Sequence, residues 1–245
     1  MRTANPALNE KTFREVAVGT DESRMTLEGT INKTVILLFL LVLTASAVWI
    51  QTAGDRTPQV MPWVIGGSIG GLVMAIITAF RKEWSPFTTP IYALLEGLAL
   101  GGLSVLFELE FPGIVIQAVA LTFGVLLSLL VAYRTGLIRA TDNFKRGVVA
   151  ATGAIMLIYL AGLILRLFGI GIPYIHESGP IGIAFSLVVV TVAALNLVLD
   201  FDFIEHGVEQ GAPKFMEWYA AFGLIVTLVW LYLELLRLLS KLRKR

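Results

Sequence analysis

The chain has 245 residues, 56% of them hydrophobic, with a mean hydropathy of +0.80, a formal net charge of +1 and only 15% charged residues, against roughly 25% in soluble domains. That balance describes an integral membrane protein and excludes a nucleic-acid partner drawn by bulk charge. Cysteine is absent, which excludes a disulfide framework, thiol catalysis and a cysteine-ligated metal.

Met1 to Lys33 form a polar arm of mixed charge, without the short apolar core and small-residue cleavage site of a cleaved signal peptide. Seven windows then supply the roughly 20 apolar residues that a bilayer span needs: 34 to 52, 61 to 80, 87 to 108, 113 to 133, 147 to 168, 180 to 201 and 218 to 239. The runs do not alternate as barrel strands would, and open sheet edges cannot be satisfied in hydrocarbon, so each span is expected to be helical. The fold class is therefore an all-α integral membrane protein with seven transmembrane helices. Residues 34 to 240 form one membrane domain and 241 to 245 a basic tail. In the second and third spans, "IGGSIGG" (Ile65 to Gly71) and "GLALGG" (Gly97 to Gly102) place small residues four apart, which lets helix backbones approach closely in lipid.

Lys and Arg in the short loops set the orientation. The arm holds Arg2, Lys11, Arg14, Arg24 and Lys33; the even-numbered loops hold Arg81, Lys82, Arg134, Arg139, Lys145, Arg146 and Lys214; the other loops hold only Arg56 and Arg166. A cytoplasmic N-terminus and an external C-terminus follow, in the inner membrane of a cell. The tail "KLRKR" (Lys241 to Arg245) argues the other way, so a shallow or re-entrant last helix stays open.

An ionised acid at mid-membrane is disfavoured by roughly 2.5 to 3.5 kcal/mol on insertion scales, so such residues face a partner or a wet cavity. Glu96 lies near the middle of the third span, Asp200 closes the sixth with Asn196 one turn earlier on the same face, and Glu234 lies in the seventh. Each has a structural reading beside the functional one. Glu96 could hydrogen-bond a neighbouring helix as a neutral acid, Asp200 and Asp202 could mark the membrane boundary, and Glu234 could pair with Arg237 three residues on. Asp202 points to a different side of the helix from Asp200. Glu205, His206 and Glu209 are assigned to the cytoplasmic loop as solvated groups, not metal ligands. No enzyme is indicated: His176 and His206 fall on opposite sides of this topology, and neither a His-Glu-x-x-His motif nor a Gly-x-Ser-x-Gly elbow is present.

The sixth span ending in an acid, the link after it, and "LYLELLRLL" (Leu231 to Leu239) resemble the Bax-inhibitor family. More narrowly, "NPALNEKTF" near the start and "APKFMEWYAAFGLIVTLVWLYLELLRLL" near the end are similar to a bacterial subgroup of it. The resemblance implies a bundle whose seventh helix is central and surrounded by the other six, and a pH-sensitive calcium leak. It also implies a pair of acids, one on the sixth helix and one on the seventh, that share a proton on the ion path. Carried over by position, the sixth-helix acid is Asp200, with Asp202 as the alternative, and the seventh-helix acid of the family's Leu-Tyr-Leu-Asp pattern is Glu234. Arg81 matches more loosely a basic residue that can pair with the acids. Two departures stand out: Glu replaces Asp at position 234, and the link between the acids is longer, with Gly207 to Pro213 and the "EWY" stretch added.

Two carboxyls in a poorly solvated space cannot both ionise cheaply, so they titrate as a pair, and their hard oxygens suit Ca²⁺. The expected site is thus Asp200 and Glu234 as pH sensor and calcium ligands, with Arg81 competing for Asp200 and Glu96 tuning the field. No resident cofactor is expected; calcium is the permeant ion, and lipid and a membrane protein are the expected partners. Some members of the family restrain a membrane protease or suppress cell death, so a non-conducting regulator acting through the arm is the second reading. A proton-coupled cation exchanger is the third, although inverted repeats are not evident.

Overall fold

The computed structural model describes residues 24–52, 59–169 and 178–244, except the Arg166 side chain. Most of the polar arm, Arg56, His176 and Arg245 lie outside the described residues, as does the "NPALNEKTF" stretch. Seven helices follow one another: α1 Leu27–Thr52, α2 Met61–Phe80, α3 Ser85–Glu110, α4 Ile114–Arg134, α5 Asp142–Leu167, α6 Pro180–Glu209 and α7 Met216–Arg243, with a 3-10 turn at Lys82–Trp84 before α3. All seven are long and apolar enough to cross a membrane. Among the described residues no strand forms; a single antiparallel bridge joins Arg24 to Pro213.

Local chemistry explains the ends. Proline stands in the first turn of α2, α3 and α6, where its missing N–H leaves nothing unpaired. Between α3 and α4, Gly113 takes φ 81°, a conformation that glycine adopts without strain. Glu108 then accepts hydrogen bonds from the amides of Gly113 at 2.5 Å and Val115 at 3.2 Å, filling orphan donors at the start of α4.

Several helices outrun the apolar windows. α1 starts seven residues before position 34 and α6 runs eight past position 201, because helical hydrogen bonding continues into water beyond the point where hydropathy drops. Glu205, His206 and Glu209, expected in a loop, therefore sit exposed on the projecting end of α6. The last helix is unbroken: its 28 residues make a rod of about 42 Å, longer than the roughly 30 Å hydrocarbon core.

Burial ranks the helices. The apolar window of α7 is 61% buried inside the bundle, that of α5 only 11%, so α7 is the interior helix and α5 is mostly lipid-facing. α7 packs against α1, α3, α4 and α6, while α2 is applied chiefly to α3 and α5 to α6. The expected ring of six helices around the seventh thus takes a narrower form, in which four pack on α7 and two lie outside them. Small residues decide which. A Cβ on Gly67 of α2 would lie 2.6 Å from the Leu95 carbonyl oxygen of α3, and one on Gly97 of α3 would lie 2.3 Å from the Leu41 carbonyl oxygen of α1. Those contacts require bare backbone, and they draw α2 onto α3 and α3 onto α1.

One end of the bundle gathers the start of α1, the α2–α3 turn, the α4–α5 connection and the α6–α7 connection. Met25 donates its amide to the Ala212 carbonyl at 2.7 Å, Ser85 donates to the Phe215 carbonyl at 2.9 Å, and Lys145 meets Asp202 at 2.6 Å. Arg24, Lys33, Arg81, Lys82, Arg134, Arg139, Lys145, Arg146 and Lys214 belong to this end. At the opposite end the tail is tied down: Lys244 pairs with Glu110 at 2.9 Å and Arg243 donates to the Pro112 carbonyl at 2.7 Å.

Candidate ion-path acids

Asp200 sits on the part of α6 that faces α7. Its Oδ1 lies 3.9 Å from where a Cβ on Gly223 would be, and the Thr227 hydroxyl faces the carboxyl. Oδ2 is buried and has no hydrogen-bond partner among the described residues. An unpartnered buried carboxyl oxygen is costly, so this acid is not explained by packing.

Glu234 is differently placed. It is 1% exposed, the Tyr159 hydroxyl of α5 donates to both its oxygens at 3.0 and 3.1 Å, and Arg237 donates to Oε1 at 2.6 Å. The Arg237 guanidinium in turn stacks over the Tyr159 ring, 5.5 Å from its centroid. The same-face pairing with Arg237 read from the three-residue spacing is present.

The two acids are not brought together. Asp200 meets α7 at Gly223 and Thr227, and Glu234 lies seven residues beyond Thr227, about 10 Å further along the helix. They share no described partner, so a proton cannot bridge them. The physical reason is the antiparallel run of α6 and α7: Lys241 reaches the Gly182 carbonyl at 3.0 Å and Ser186 at 2.8 Å, which sets Glu234 near the level of Val190 rather than Asp200. A joint calcium site built from Asp200 and Glu234 falls with the pair. Among the described residues no three Asp, Glu or His side chains converge to hold a metal.

The other candidates disperse. Asp202 pairs with Lys145 of α5 at 2.6 Å, and His206 lies 3.6 Å from its other oxygen, so unlike Asp200 it has ion partners on the projecting part of α6. Glu205 accepts a hydrogen bond from Tyr133 of α4. Asn196 donates to Thr152 of α5 at 2.8 Å and to the Val192 carbonyl at 2.8 Å, which ties its amide to α5. Glu96 turns toward α2, with Oε2 2.7 Å from where a Cβ on Gly71 would be. Arg81 caps α2 with its guanidinium 5.9 Å from the Trp84 ring. No ion pair of Arg81 with Asp200 is found, so the expected competition between Arg81 and calcium has no geometric basis.

One acid escaped the sequence reading. Glu217, in the first turn of α7, is fully buried. Its Oε1 accepts from the Thr26 amide at 3.0 Å and the Thr26 hydroxyl at 2.8 Å and pairs with Lys214 at 3.1 Å, while Lys33 lies 3.3 Å from Oε2. A Cβ on Gly29 would lie 2.0 Å from Oε1, so the start of α1 is cut to fit this carboxylate. Only the Lys214 spacing was visible in sequence; Thr26 and Lys33 are about 190 residues away.

The family model described as Bax inhibitor 1 like matches residues 5–244. The chain belongs to the Bax inhibitor 1 like family. The match takes in all seven helices of this Bax inhibitor 1 like protein, and with them Asp200, Glu217 and Glu234. No curated protein and no solved structure matches it.

Proposed function

We propose that this Bax inhibitor 1 like protein is a pH-sensitive leak pathway for calcium in a bacterial inner membrane, with its N-terminus in the cytoplasm and Asp200 as the titrating gate. The observation that carries this reading is the buried Oδ2 of Asp200, which has no partner among the described residues. Intramembrane ionisable groups that packing leaves incompletely satisfied mark ion and proton paths, and an ionised carboxylate attracts a hard divalent cation that its protonated form does not. Flux then rises as pH rises and Asp200 loses its proton. Glu234 acts as a separate station further along α7: its oxygens are held by Tyr159 and Arg237, so a cation reaching it must displace Arg237. The orientation is supported by the basic end of the bundle, which gathers the arm and the even-numbered loops.

The test is calcium flux into vesicles holding the purified protein, measured across pH for the unaltered chain, Asp200→Asn and Glu234→Gln. Asp200→Asn is expected to remove the pH dependence, while Glu234→Gln lowers the flux and keeps its pH dependence. Unchanged pH dependence in Asp200→Asn refutes the gate. A wild-type protein that passes no calcium at any pH refutes the leak itself and directs attention to a regulatory role.

A further inference from the structure

Between α1 and α4 lies a groove of about 480 Å³ whose floor is made by α3 and α7. It runs along α1 from Leu38 to Trp49, about 16 Å, beside Val119 of α4 and Tyr232 of α7. α1 and α4 do not pack substantially on one another, which leaves the groove open sideways. The surface flanking that opening is exposed and apolar, with Val42, Ile116, Leu121 and Phe123 all at least 40% exposed, so the groove is continuous with the lipid-facing face of the bundle.

We propose that this groove binds one acyl chain of a bilayer phospholipid from the leaflet at the α3–α4 end of the bundle. Its length matches the depth of one leaflet, half of a roughly 30 Å hydrocarbon core. The polar groups contributed by α3, α4 and α7 have partners: Ser104 and Tyr232 bond each other at 2.7 Å, Thr122 donates to the Ala118 carbonyl at 2.8 Å, and Glu108 is held by two amides, which leaves Ser46 and Trp49 of α1 as the other polar lining. Such a cavity offers water or a polar ligand too few partners to stay wet. A transmembrane helix of the same length, 10 Å wide, fills roughly 1,250 Å³, far more than the groove holds, so a second copy of the chain could only lie across it. Above the mouth, on the α3–α4 side, Arg243 bonds the Pro112 carbonyl and Lys244 lies over Phe111 with Glu110 as its ion partner. These cations stand where the headgroup phosphate of a chain seated in the groove would come.

The full chain, reconstituted in phosphatidylethanolamine and phosphatidylglycerol vesicles, is irradiated with a trace of phospholipid carrying a diazirine in mid-chain, and adducts are mapped by peptide mass spectrometry. Labelling of Ala45, Val119 and Tyr232 is expected to exceed that of Met156 and Leu157, exposed on α5, by roughly tenfold, the equivalent of about 1.4 kcal/mol of preference. In Val119→Trp, which fills the groove, labelling of Ala45 should fall to the α5 level while α5 labelling persists. Equal labelling of groove and α5 overturns the proposal, as does undiminished Ala45 labelling in a Val119→Trp protein that still labels on α5. Labelling of the groove by a diazirine free fatty acid but not by the phospholipid overturns the choice of occupant.

Discussion

The Tyr159 hydroxyl of α5 donates to both carboxyl oxygens of Glu234, at 3.0 and 3.1 Å, reaching past α6 to the interior helix. The hydroxyl has one proton, so the two contacts are one bifurcated hydrogen bond, and a hydrogen bond to a charged group contributes about 1.5–3 kcal/mol. Tyr159→Phe should therefore lower the melting temperature of the detergent-solubilised protein and leave the pH dependence of calcium flux in place. A melting temperature equal to wild type would show that Arg237 alone holds Glu234.

Gly29 and Glu217 act as one unit at the other end of α7. Gly29→Ala puts a methyl where the Glu217 carboxylate sits, and Glu217→Gln removes its charge from Lys33 and Lys214. Because both lysines are partly solvated, loss of the ion pairs counts for little. The Thr26 hydrogen bonds to the buried carboxylate carry most of the effect, about 2 kcal/mol. Each variant should speed hydrogen exchange in the first turn of α1, and the double variant should do little more than either alone. Additive effects would show that the two sites are independent.

Adjacent glycines on α2 give an internal control. Gly67→Ala forces a methyl to 2.6 Å from the Leu95 carbonyl oxygen, whereas a methyl on Gly66 meets nothing within 4 Å. Destabilisation of about 1–3 kcal/mol is expected at Gly67, and no loss at Gly66, where alanine gains helix propensity. Thermal denaturation of the two variants checks this, and equal melting curves would contradict the close approach of α2 and α3.

Asp202 lies two residues from Asp200 and has a partner that Asp200 lacks. Its bridge to Lys145 is partly solvated, so Asp202→Asn should change stability by about 1 kcal/mol or less. Flux should keep its pH dependence. Flattening in Asp202→Asn but not in Asp200→Asn would transfer the gate to the wrong acid for this reading.

Reporter fusions at residue 1 and residue 245 should report opposite sides of the membrane, since α1 and α7 run parallel, with Lys33 on Glu217 at 3.3 Å, and α7 spans the full bundle. Reporters on the same side would contradict the seven-span reading.

Spans, helical class and the family were legible in the sequence, because desolvation of the backbone in hydrocarbon admits few structures and twenty apolar residues announce one of them. The candidate acids were legible too, since a charge within an apolar run stands out wherever it lies. What could not be read was which acids meet. Spacing along the chain fixed Glu234 to Arg237, three residues on, but the longer link after Asp200 left the register of α6 against α7 open. Only the packed bundle set that register, through the Lys241 contacts to Gly182 and Ser186, and so placed Asp200 beside Gly223 with one oxygen unpartnered. The same packing buried Glu217 against Thr26 from the far end of the chain. Composition determines that this protein lives in a membrane; the sliding of one helix against another decides what its acids touch, because a shift of a single turn moves every contact by about 5 Å.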